Sequence, residues 1–289
     1  MLDIERFIER RKQLGYSQIM LSKGICTQST LSKFENGLQT PSLAILSKLC
    51  ARLGFSIDDL NTADPSSIGY LRDLLGLIEE NLMVENFKRA TELLAKVNPT
   101  SIEITEEQMH YYYLEGMVGV LTNQPTEKVM FSFTHILDEL DERRLTIYSQ
   151  LAYLGKGILY VRKENLTQAA FFFDKVTTYL NEQLGNPGLK GSHYFQTLTL
   201  LYYLAEYHSL VKELKVSNDL IEMALDICSV KHVTYFLPRL KLLQAKNLLE
   251  QVAPHDKIRA CLNDALAFAR LNRNQTVQVQ ILALQQQLK

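Results

Sequence analysis

The chain has few of the residues that interrupt helices, with 7 prolines and 13 glycines among its 289 residues. Leucine, alanine, glutamine, lysine and glutamate are abundant instead, and these residues favour helices. No apolar run approaches the roughly 20 residues that a membrane-spanning helix requires. The composition therefore predicts an all-α protein, and we expect it to be soluble, cytoplasmic and without membrane contact.

Cysteine is scarce as well, and the cysteines that occur, Cys26, Cys50, Cys228 and Cys261, are far apart. No pair has the short spacing of a zinc site, and a disulfide framework is not expected in a chain of this size. We expect all four to be small apolar residues of the interior.

Sequence patterns of catalysis are also missing. There is no glycine-rich phosphate loop, no pair of metal-binding histidines and no nucleophile elbow. The triplet Gly155-Lys156-Gly157 lies inside a helical pattern and lacks the other residues of a nucleotide loop. The sequence therefore predicts no enzyme activity, no cofactor and no metal.

Charge is nearly balanced, with 31 basic and 32 acidic residues, but its distribution is uneven. Residues 1–62 hold eight basic and six acidic residues, whereas the remainder holds 23 and 26. A mildly positive N-terminal segment is sufficient for contacts with phosphate groups, although it does not by itself require a nucleic acid.

Residues 17–37 have the pattern of two short helices joined by a tight turn. Ser17 and Thr27 are suited to cap the two helices, and Gly24 is suited to the left-handed conformation at the turn. Leu31 and Phe34 are spaced to bury one face of the second helix. Short polar residues on the opposite face of such a helix can reach base edges in the major groove of DNA.

The candidate DNA-binding residues are therefore those on the outer face of these helices and at their caps. They are Ser17, Gln18, Thr27, Gln28, Ser29, Thr30, Lys33 and Asn36. The alternative is an ordinary helical hairpin in which Gln28 and Lys33 are merely solvated.

The rest of the chain has a repeat of about 40 residues. We divide the sequence into a five-helix domain at 1–62, a linker at 63–69 and a helical repeat domain at 70–289. Short polar turns precede five amphipathic segments, which are Phe87–Val97, Thr126–Leu140, Leu166–Leu180, Val216–Val230 and Asp256–Leu271. This period predicts about five stacked helix pairs of a right-handed TPR-like solenoid, with residues 273–288 as a capping helix.

The first helix of each pair would line a concave groove and is rich in tyrosine. Tyrosine combines apolar area with a hydrogen-bonding tip, which suits a groove for an extended ligand. Our candidate effector-binding residues are Tyr112, Lys156, Tyr160, Tyr203, Arg239 and Asn247. The alternative is that many of these side chains are packed between helices.

Residues 3–60 resemble the Cro/C1 (Xre) type of DNA-binding domain, in the Gly15-Tyr16-Ser17-Gln18 entry, the segment Leu31-Ser32-Lys33-Phe34-Glu35-Asn36-Gly37 and Thr40-Pro41-Ser42. The run Gly24-Ile25-Cys26-Thr27-Gln28-Ser29 is similar to that of the peptide-responsive RNPP group of regulators, the PlcR/Rgg-like proteins. The predicted architecture and length of the remaining chain also agree with this group.

The resemblance implies a homodimeric regulator that binds operator DNA and holds a short signalling peptide in the concave groove. In this group, asparagines on the inner helices hold the peptide main chain. The two matching positions here are Ile158 and Tyr203. Because neither position is an asparagine, we expect a peptide to be held differently here than in PlcR, with Lys156, Tyr203 and Arg239 as candidates to replace the asparagines.

The sequence is compatible with two functions. The first is a ligand-gated transcription regulator that binds near-palindromic double-stranded DNA as a homodimer. The second is an adaptor, in which the helical repeats grip a partner protein and the N-terminal domain only tethers it to DNA.

Overall fold

The computed structural model describes residues 2–57, 60, 68–183 and 194–288, in which the secondary structure is helical without strands. The chain divides into two compact units, Met1–Gly76 and Leu77–Lys289. The predicted linker lies outside the described residues up to residue 67, and its last two residues belong to a helix. The sequence also predicts a loop around Gly185-Asn186-Pro187-Gly188, at the one longer interval of the repeat, and this segment lies outside the described residues as well. No helix within the described ranges is long and apolar enough to cross a membrane.

The first unit contains the predicted pair of short helices. Its helices are α1 (Ile4–Gln13), α2 (Gln18–Ser22), α3 (Gln28–Glu35) and α4 (Leu43–Leu53). Residues 58–59 and 61–62, beyond α4 in the expected five-helix domain, lie outside the described residues.

The predicted caps of α2 and α3 are confirmed. Ser17 Oγ accepts a hydrogen bond from the Met20 amide at 3.1 Å, and Thr27 Oγ1 accepts one from the Thr30 amide at 3.2 Å. Gly24 has a φ of +75°, a conformation that a residue with a side chain adopts at a cost. The turn between α2 and α3 therefore follows from local sequence.

One apolar core holds the helices of the first unit together. Phe7 of α1 packs edge-on against Phe34 of α3, with ring centroids 5.1 Å apart. The fully or almost fully buried members of this core are Phe7, Leu21, Leu31, Phe34, Leu46, Leu49, Cys50, Leu53 and Leu60. Burial of Leu31 and Phe34 directs the opposite face of α3 away from this core.

The repeat region consists of helices joined by short turns. They are α5 (Ile68–Met83), α6 (Phe87–Leu94), α7 (Thr105–Leu121), α8 (Thr126–His135), α9 (Ile147–Arg162), α10 (Leu166–Gln183), α11 (Tyr194–Leu210), α12 (Leu214–Lys231), α13 (Leu237–Glu250), α14 (His255–Leu271) and α15 (Gln275–Gln287). The sequence predicts a single helix over 126–140, but the structure does not have one. Helix α8 ends at His135, and Ile136–Leu140 forms a wider π-helical turn.

The contacts of these helices follow the pattern of stacked pairs. Helices α7, α9, α11 and α13 each pack against the helix that follows them. Among these four, α7 contacts α9, α9 contacts α11, and α11 contacts α13. We call these four helices the first-helix layer. Helix α15 packs on α13 and α14 at the end of the array. The helices from α7 to α14 thus form four stacked pairs, the kind of packing that the repeat predicts.

Glycines allow close approach between pairs. The ring of Phe133 on α8 lies against Gly116 of α7 and Gly155 of α9, where any Cβ would overlap it. Phe173 of α10 lies against Gly157 in a similar way, with a Cβ built there only 2.9 Å from its ring. The glycines of the triplet Gly155-Lys156-Gly157 therefore serve packing.

Asp141 organises the start of α9. Its carboxylate accepts hydrogen bonds from the Leu145 amide at 3.2 Å, from the Thr146 amide and hydroxyl at 2.8 Å, and from Ser149 Oγ at 2.7 Å. Burial raises the pKa of Asp141, but these hydrogen bonds outweigh that effect and hold the pKa below its ordinary value.

We expect Asp141→Asn to lower the free energy of unfolding by about 2 kcal/mol at pH 7, because charged acceptors make the stronger hydrogen bonds. Because the pKa of Asp141 is lowered in the folded protein, its ionised carboxylate stabilises the fold at pH values above the ordinary pKa of aspartate. This stabilisation is lost as the pH falls through the lowered pKa that Asp141 has in the folded protein. Urea unfolding of parent and variant at pH 7 and at acidic pH measures the difference. Asp138→Asn, at an exposed aspartate, is the control. A difference that is equal at both pH values would contradict the assignment.

Candidate functional site

The predicted DNA-binding residues lie together on α2, α3 and their caps. Gln28, Ser29 and Lys33 are exposed on α3, outside the face that buries Leu31 and Phe34. The set also contains three further exposed residues, Ser17, Thr27 and Asn36. Its two half-buried residues are Gln18 and Thr30. The structure thus brings all eight residues to one segment of the first unit.

Several of these residues also have local structural roles. Ser17 and Thr27 cap their helices, and Thr27 Oγ1 lies 2.8 Å from Thr30 Oγ1. Asn36 Nδ2 donates to the Ser32 carbonyl at 2.8 Å, at the end of α3. Exposed Gln28, Ser29 and Lys33 make up the part of the set that is most available to a ligand.

A chain of polar contacts fixes the side chain of Gln28. Its Nε2 donates to Gln18 Oε1 at 2.7 Å, and Gln18 Nε2 donates to Glu35 Oε2 at 2.8 Å. Glu35 in turn accepts two hydrogen bonds from Arg11, from Nε at 2.6 Å and from Nη2 at 2.8 Å. The ion pair is mostly buried, with side-chain exposures of 11% for Arg11 and 5% for Glu35. The start of α3 is therefore preorganised.

Arg11 and Glu35 were not among the predicted site residues. They are 24 residues apart, and no local spacing indicates that α1 and the end of α3 are adjacent. Arg52 was not among the predicted site residues either, because it is also distant in sequence from its partners. Its guanidinium donates hydrogen bonds to the carbonyl oxygens of Leu21 at 2.9 Å and Lys23 at 2.6 Å. These contacts tie the turn between α2 and α3 to α4.

The predicted effector residues of the second unit fall into separate groups. Lys156 and Tyr160 both lie against Phe172 of α10, and Tyr112 lies against Phe131 and His135 of α8. These three residues therefore pack between the two helices of a pair. Burial lowers the pKa of Lys156, and Asp138 opposes this effect.

Asn247 belongs to an internal hydrogen-bond network. Its side chain is completely buried; Nδ2 donates to Ser217 Oγ and Asn218 Oδ1, both at 2.8 Å, and Oδ1 accepts from Ser209 Oγ at 2.6 Å. These bonds link α13 to α11 and α12. The amide is thus engaged with the protein itself.

Tyr203 of α11 and Arg239 of α13 are two predicted effector residues from different helix pairs that lie against each other. The Arg239 guanidinium lies 3.8 Å from the ring centroid of Tyr202 and 5.0 Å from that of Tyr203. Burial raises the pKa of both tyrosines, so both are neutral near pH 7. Glu85 Oε1, in the turn after α5, lies 3.6 Å from Arg239 Nε. Glu85 was missed, because its position in a polar turn gave no sign of this contact.

A second buried carboxylate lies near the first-helix layer. Glu79 of α5 accepts hydrogen bonds from Gln196 Nε2 at 2.9 Å on both of its oxygens. His110 Nε2 of α7 is 3.3 Å from Glu79 Oε2. Thus Glu79 contacts α7 and α11, while Glu85 contacts α13.

Known proteins match the N-terminal segment by sequence and the whole chain by fold. The helix-turn-helix family matches residues 7–60. No curated protein sequence matches the chain.

Several solved structures resemble the chain over almost its whole length. Bacillus thuringiensis PlcR, in a complex with the peptide PapR7 and DNA, has 17% identity and a TM-score of 0.60, covering 100% of this chain and 99% of PlcR. ComR from S. thermophilus, in a complex with DNA and its signalling peptide ComS, has 17% identity and a TM-score of 0.60, covering 98% of each chain. ComR from Streptococcus vestibularis, in a complex with its cognate signalling peptide XIP, has 18% identity and a TM-score of 0.56, covering 100% of this chain and 99% of ComR. Residues 7–60 are thus a helix-turn-helix domain, and the chain as a whole has the fold of PlcR and ComR.

Proposed function

We propose that this protein is a transcription regulator that binds a specific DNA sequence through α3. The main observation in support is that the start of α3 is exposed and its side chains are held in place. Gln28 donates to Gln18, which in turn donates to Glu35 of the mostly buried ion pair with Arg11. A glutamine side chain can make two hydrogen bonds to the major-groove edge of adenine. Exposed Lys33 on the same helix is suited to a phosphate contact.

We propose further that a short peptide bound to the first-helix layer controls this activity in the cytoplasm. PlcR and two ComR proteins of this fold were crystallised with peptides, which supports the class of ligand. Tyr203 and Arg239 lie together within this layer and are our candidates for peptide contact. To change DNA affinity, the peptide must bind one conformation of the repeats better than another.

We propose that the functional form is a homodimer on a near-palindromic operator. A single helix-turn-helix domain contacts only one half-site, and two half-sites are needed for a useful preference over other DNA. A footprint of two half-sites, about one helical turn of DNA apart or a multiple of it, supports this arrangement.

Gln28→Ala is expected to weaken binding to the preferred DNA by about 1–3 kcal/mol, because one bidentate base contact is lost. The duplex is first selected by the full-length parent from a random library and is footprinted. Gel-shift titration then gives the affinities of parent and variant. Gln251→Ala, at an exposed glutamine of the second unit, is the control. An unchanged affinity of Gln28→Ala would place the base contacts elsewhere.

Lys33→Ala separates a phosphate contact from a base contact. Loss of a phosphate contact weakens binding to preferred and random duplexes alike and reduces the salt dependence of binding by about one ion. Gln28→Ala, by contrast, is expected to lower the preference between the two duplexes. If Lys33→Ala changes only the preference, Lys33 contacts a base instead.

An adaptor function is the second candidate, and one observation favours it. Phe131 of α8 and Phe171 of α10 occupy the same position of consecutive pairs, and they are 56% and 54% exposed. Exposed aromatic residues are enriched at protein interfaces. A stable complex with another protein, together with equal affinity for all DNA duplexes, would favour the adaptor over the regulator.

A further inference from the structure

The turn between α5 and α6 directs an acidic side chain inward, unlike the equivalent turns further along the chain. The turns α5–α6, α7–α8, α9–α10, α11–α12 and α13–α14 each contain a residue with a positive φ, and these residues are Glu85, Asn123, Glu164, Lys212 and Val252. The last four are exposed, whereas the side chain of Glu85 is only 14% exposed and its Oε1 lies 3.6 Å from Arg239 Nε of α13. A position that is otherwise left to solvent thus makes an internal contact.

The end of α5 makes a second contact with a helix that is distant in sequence. Both oxygens of Glu79 accept hydrogen bonds at 2.9 Å from Gln196 Nε2 of α11. Between Glu79 and the turn, Leu82 and Met83 are buried, and together with Tyr203 they border a cavity of about 10 Å³. All of these residues belong to the second unit. The end of α5 is therefore closed over α11 and α13.

The ion pair of Glu85 and Arg239 is poorly made for a contact that only stabilises the fold. Arg239 is 5% exposed, and the 3.6 Å between its Nε and Glu85 Oε1 is too long for a good hydrogen bond. Arg239 Nε and Glu85 Oε2 are both buried and make no hydrogen bond to a protein atom within the described residues. Such unmet atoms cost free energy, and apolar side chains often hold a buried contact at least as firmly as an ion pair. The pair is therefore easier to separate than its burial suggests.

A second carboxylate is in position to replace Glu85 as the partner of Arg239. Glu206 of α11 lines a cavity of about 50 Å³ together with Glu85 and Arg239. Glu206 is exposed and accepts a hydrogen bond at 3.0 Å from the hydroxyl of Tyr202, and the guanidinium of Arg239 lies over the ring of the same tyrosine. Because α11 contacts α13 directly, Glu206 stays beside Arg239 when the α5–α6 turn moves away. Breaking the pair therefore does not leave the buried cation without a countercharge.

We propose that the contacts of Glu85 with Arg239 and of Glu79 with Gln196 form a clasp that switches the repeat region between two conformations. In the closed conformation, which the structure shows, both contacts are present. In the open conformation, the end of α5 separates from α11 and α13, and Arg239 pairs with Glu206 instead.

The clasp gives ligand binding a physical means of changing the conformation. Ligand sites usually have about 300–1,000 Å³, and the cavity of about 10 Å³ beside Met83 offers no such space. A ligand that enters between α5 and α11 therefore binds only the open conformation and shifts the population toward it. The clasp itself depends on the contacts above, whereas its effect on DNA binding rests on the proposed function.

Energy transfer between two dyes on single molecules of the full chain measures the opening. The dyes are attached through unnatural amino acids at Lys88 of α6 and Lys257 of α14, which are both exposed. We expect Glu85→Ala to raise the ratio of open to closed molecules roughly tenfold, a usual size for coupling between two conformations. Glu80→Ala, at an exposed glutamate of α5, is the matched control. An unchanged ratio in Glu85→Ala would overturn the clasp.

Glu206→Gln distinguishes a switch from a contact that only stabilises the fold. Loss of the alternative partner should lower the ratio of open to closed molecules, the opposite of the effect of Glu85→Ala. Glu85→Gln, which keeps the size of the side chain, should raise the ratio, and urea unfolding checks that all variants are folded. If Glu206→Gln raised the ratio as well, the exchange of partners would be wrong.

Gel-shift titration of Glu85→Ala separates the clasp from the proposed function. A changed affinity for the DNA that the parent selects, together with an opened repeat region, would support both. If the repeat region opens but the DNA affinity equals that of the parent, the clasp stands and the proposed control of DNA binding by the repeat region fails. If the repeat region stays closed, the clasp is wrong, although a ligand can still control DNA binding by another change.

Discussion

Phe133→Ala should lower the free energy of unfolding of the second unit by about 3–5 kcal/mol, the usual range for a buried phenylalanine. The Phe133 side chain has no exposed surface and contacts the backbone of both Gly116 and Gly155. Neighbouring helices cannot close the resulting cavity without moving α7 and α9 relative to α8. Urea unfolding, followed by hydrogen exchange in peptides from α7 to α9, measures the loss.

Phe131→Ala is the matched control, since Phe131 lies on the same helix and is 56% exposed. We expect its effect to stay within about 0.5 kcal/mol, as for most surface substitutions. Similar losses in the two variants would mean that Phe133 does not occupy the glycine-lined site. A large loss only for Phe131→Ala would place the buried face of α8 on the opposite side.

Glu35→Ala should destabilise the first unit by about 3–5 kcal/mol, because it leaves the buried charge of Arg11 unpaired. It also removes the acceptor that holds Gln18 and, through it, Gln28. We therefore expect a loss of DNA affinity that exceeds what partial unfolding explains. Hydrogen exchange in α1 to α4 and gel-shift titration of the folded fraction measure the two effects separately.

The double variant Arg11→Met, Glu35→Leu distinguishes stability from positioning. Well-packed apolar side chains often replace a buried ion pair without loss of stability, so the double variant is expected to recover most of it. The DNA affinity should not recover, because Gln18 still lacks its carboxylate partner. Recovery of both would show that Glu35 only stabilises the domain. Glu9→Ala, at an exposed glutamate of α1, controls for the change of charge.

The two largest effects concern contacts that sequence reasoning did not predict. The spacing of Leu31 and Phe34 was sufficient to predict the buried face of α3, and the exposed face followed from it. That Arg11 supports this face could not be predicted, since its partner Glu35 is on another helix. The eight DNA-binding candidates remain predictions until DNA binding is measured.

The effector candidates show where helical periodicity was insufficient. Periodicity predicts which residues share a face of α9 or α13, but not which neighbouring helix covers that face. Asn247 therefore proved to be enclosed by Ser209, Ser217 and Asn218, and Lys156 to lie against Phe172. Arg239 and Tyr203 were both predicted as effector residues, and they lie against each other in the structure. No pattern in the sequence indicated that Glu85 would lie beside Arg239.

The sequence by itself determined the features that depend on neighbours a few residues away. The caps at Ser17 and Thr27 and the left-handed turn at Gly24 are set by hydrogen bonds and steric limits within one or two turns. The repeat of helix pairs followed from the regular spacing of polar turns and amphipathic segments along the sequence. Tertiary structure alone decided the pairing of Arg11 with Glu35 and of Arg239 with Glu85. Such pairings depend on the angle and register at which whole helices pack, and those arise from the summed burial of many side chains.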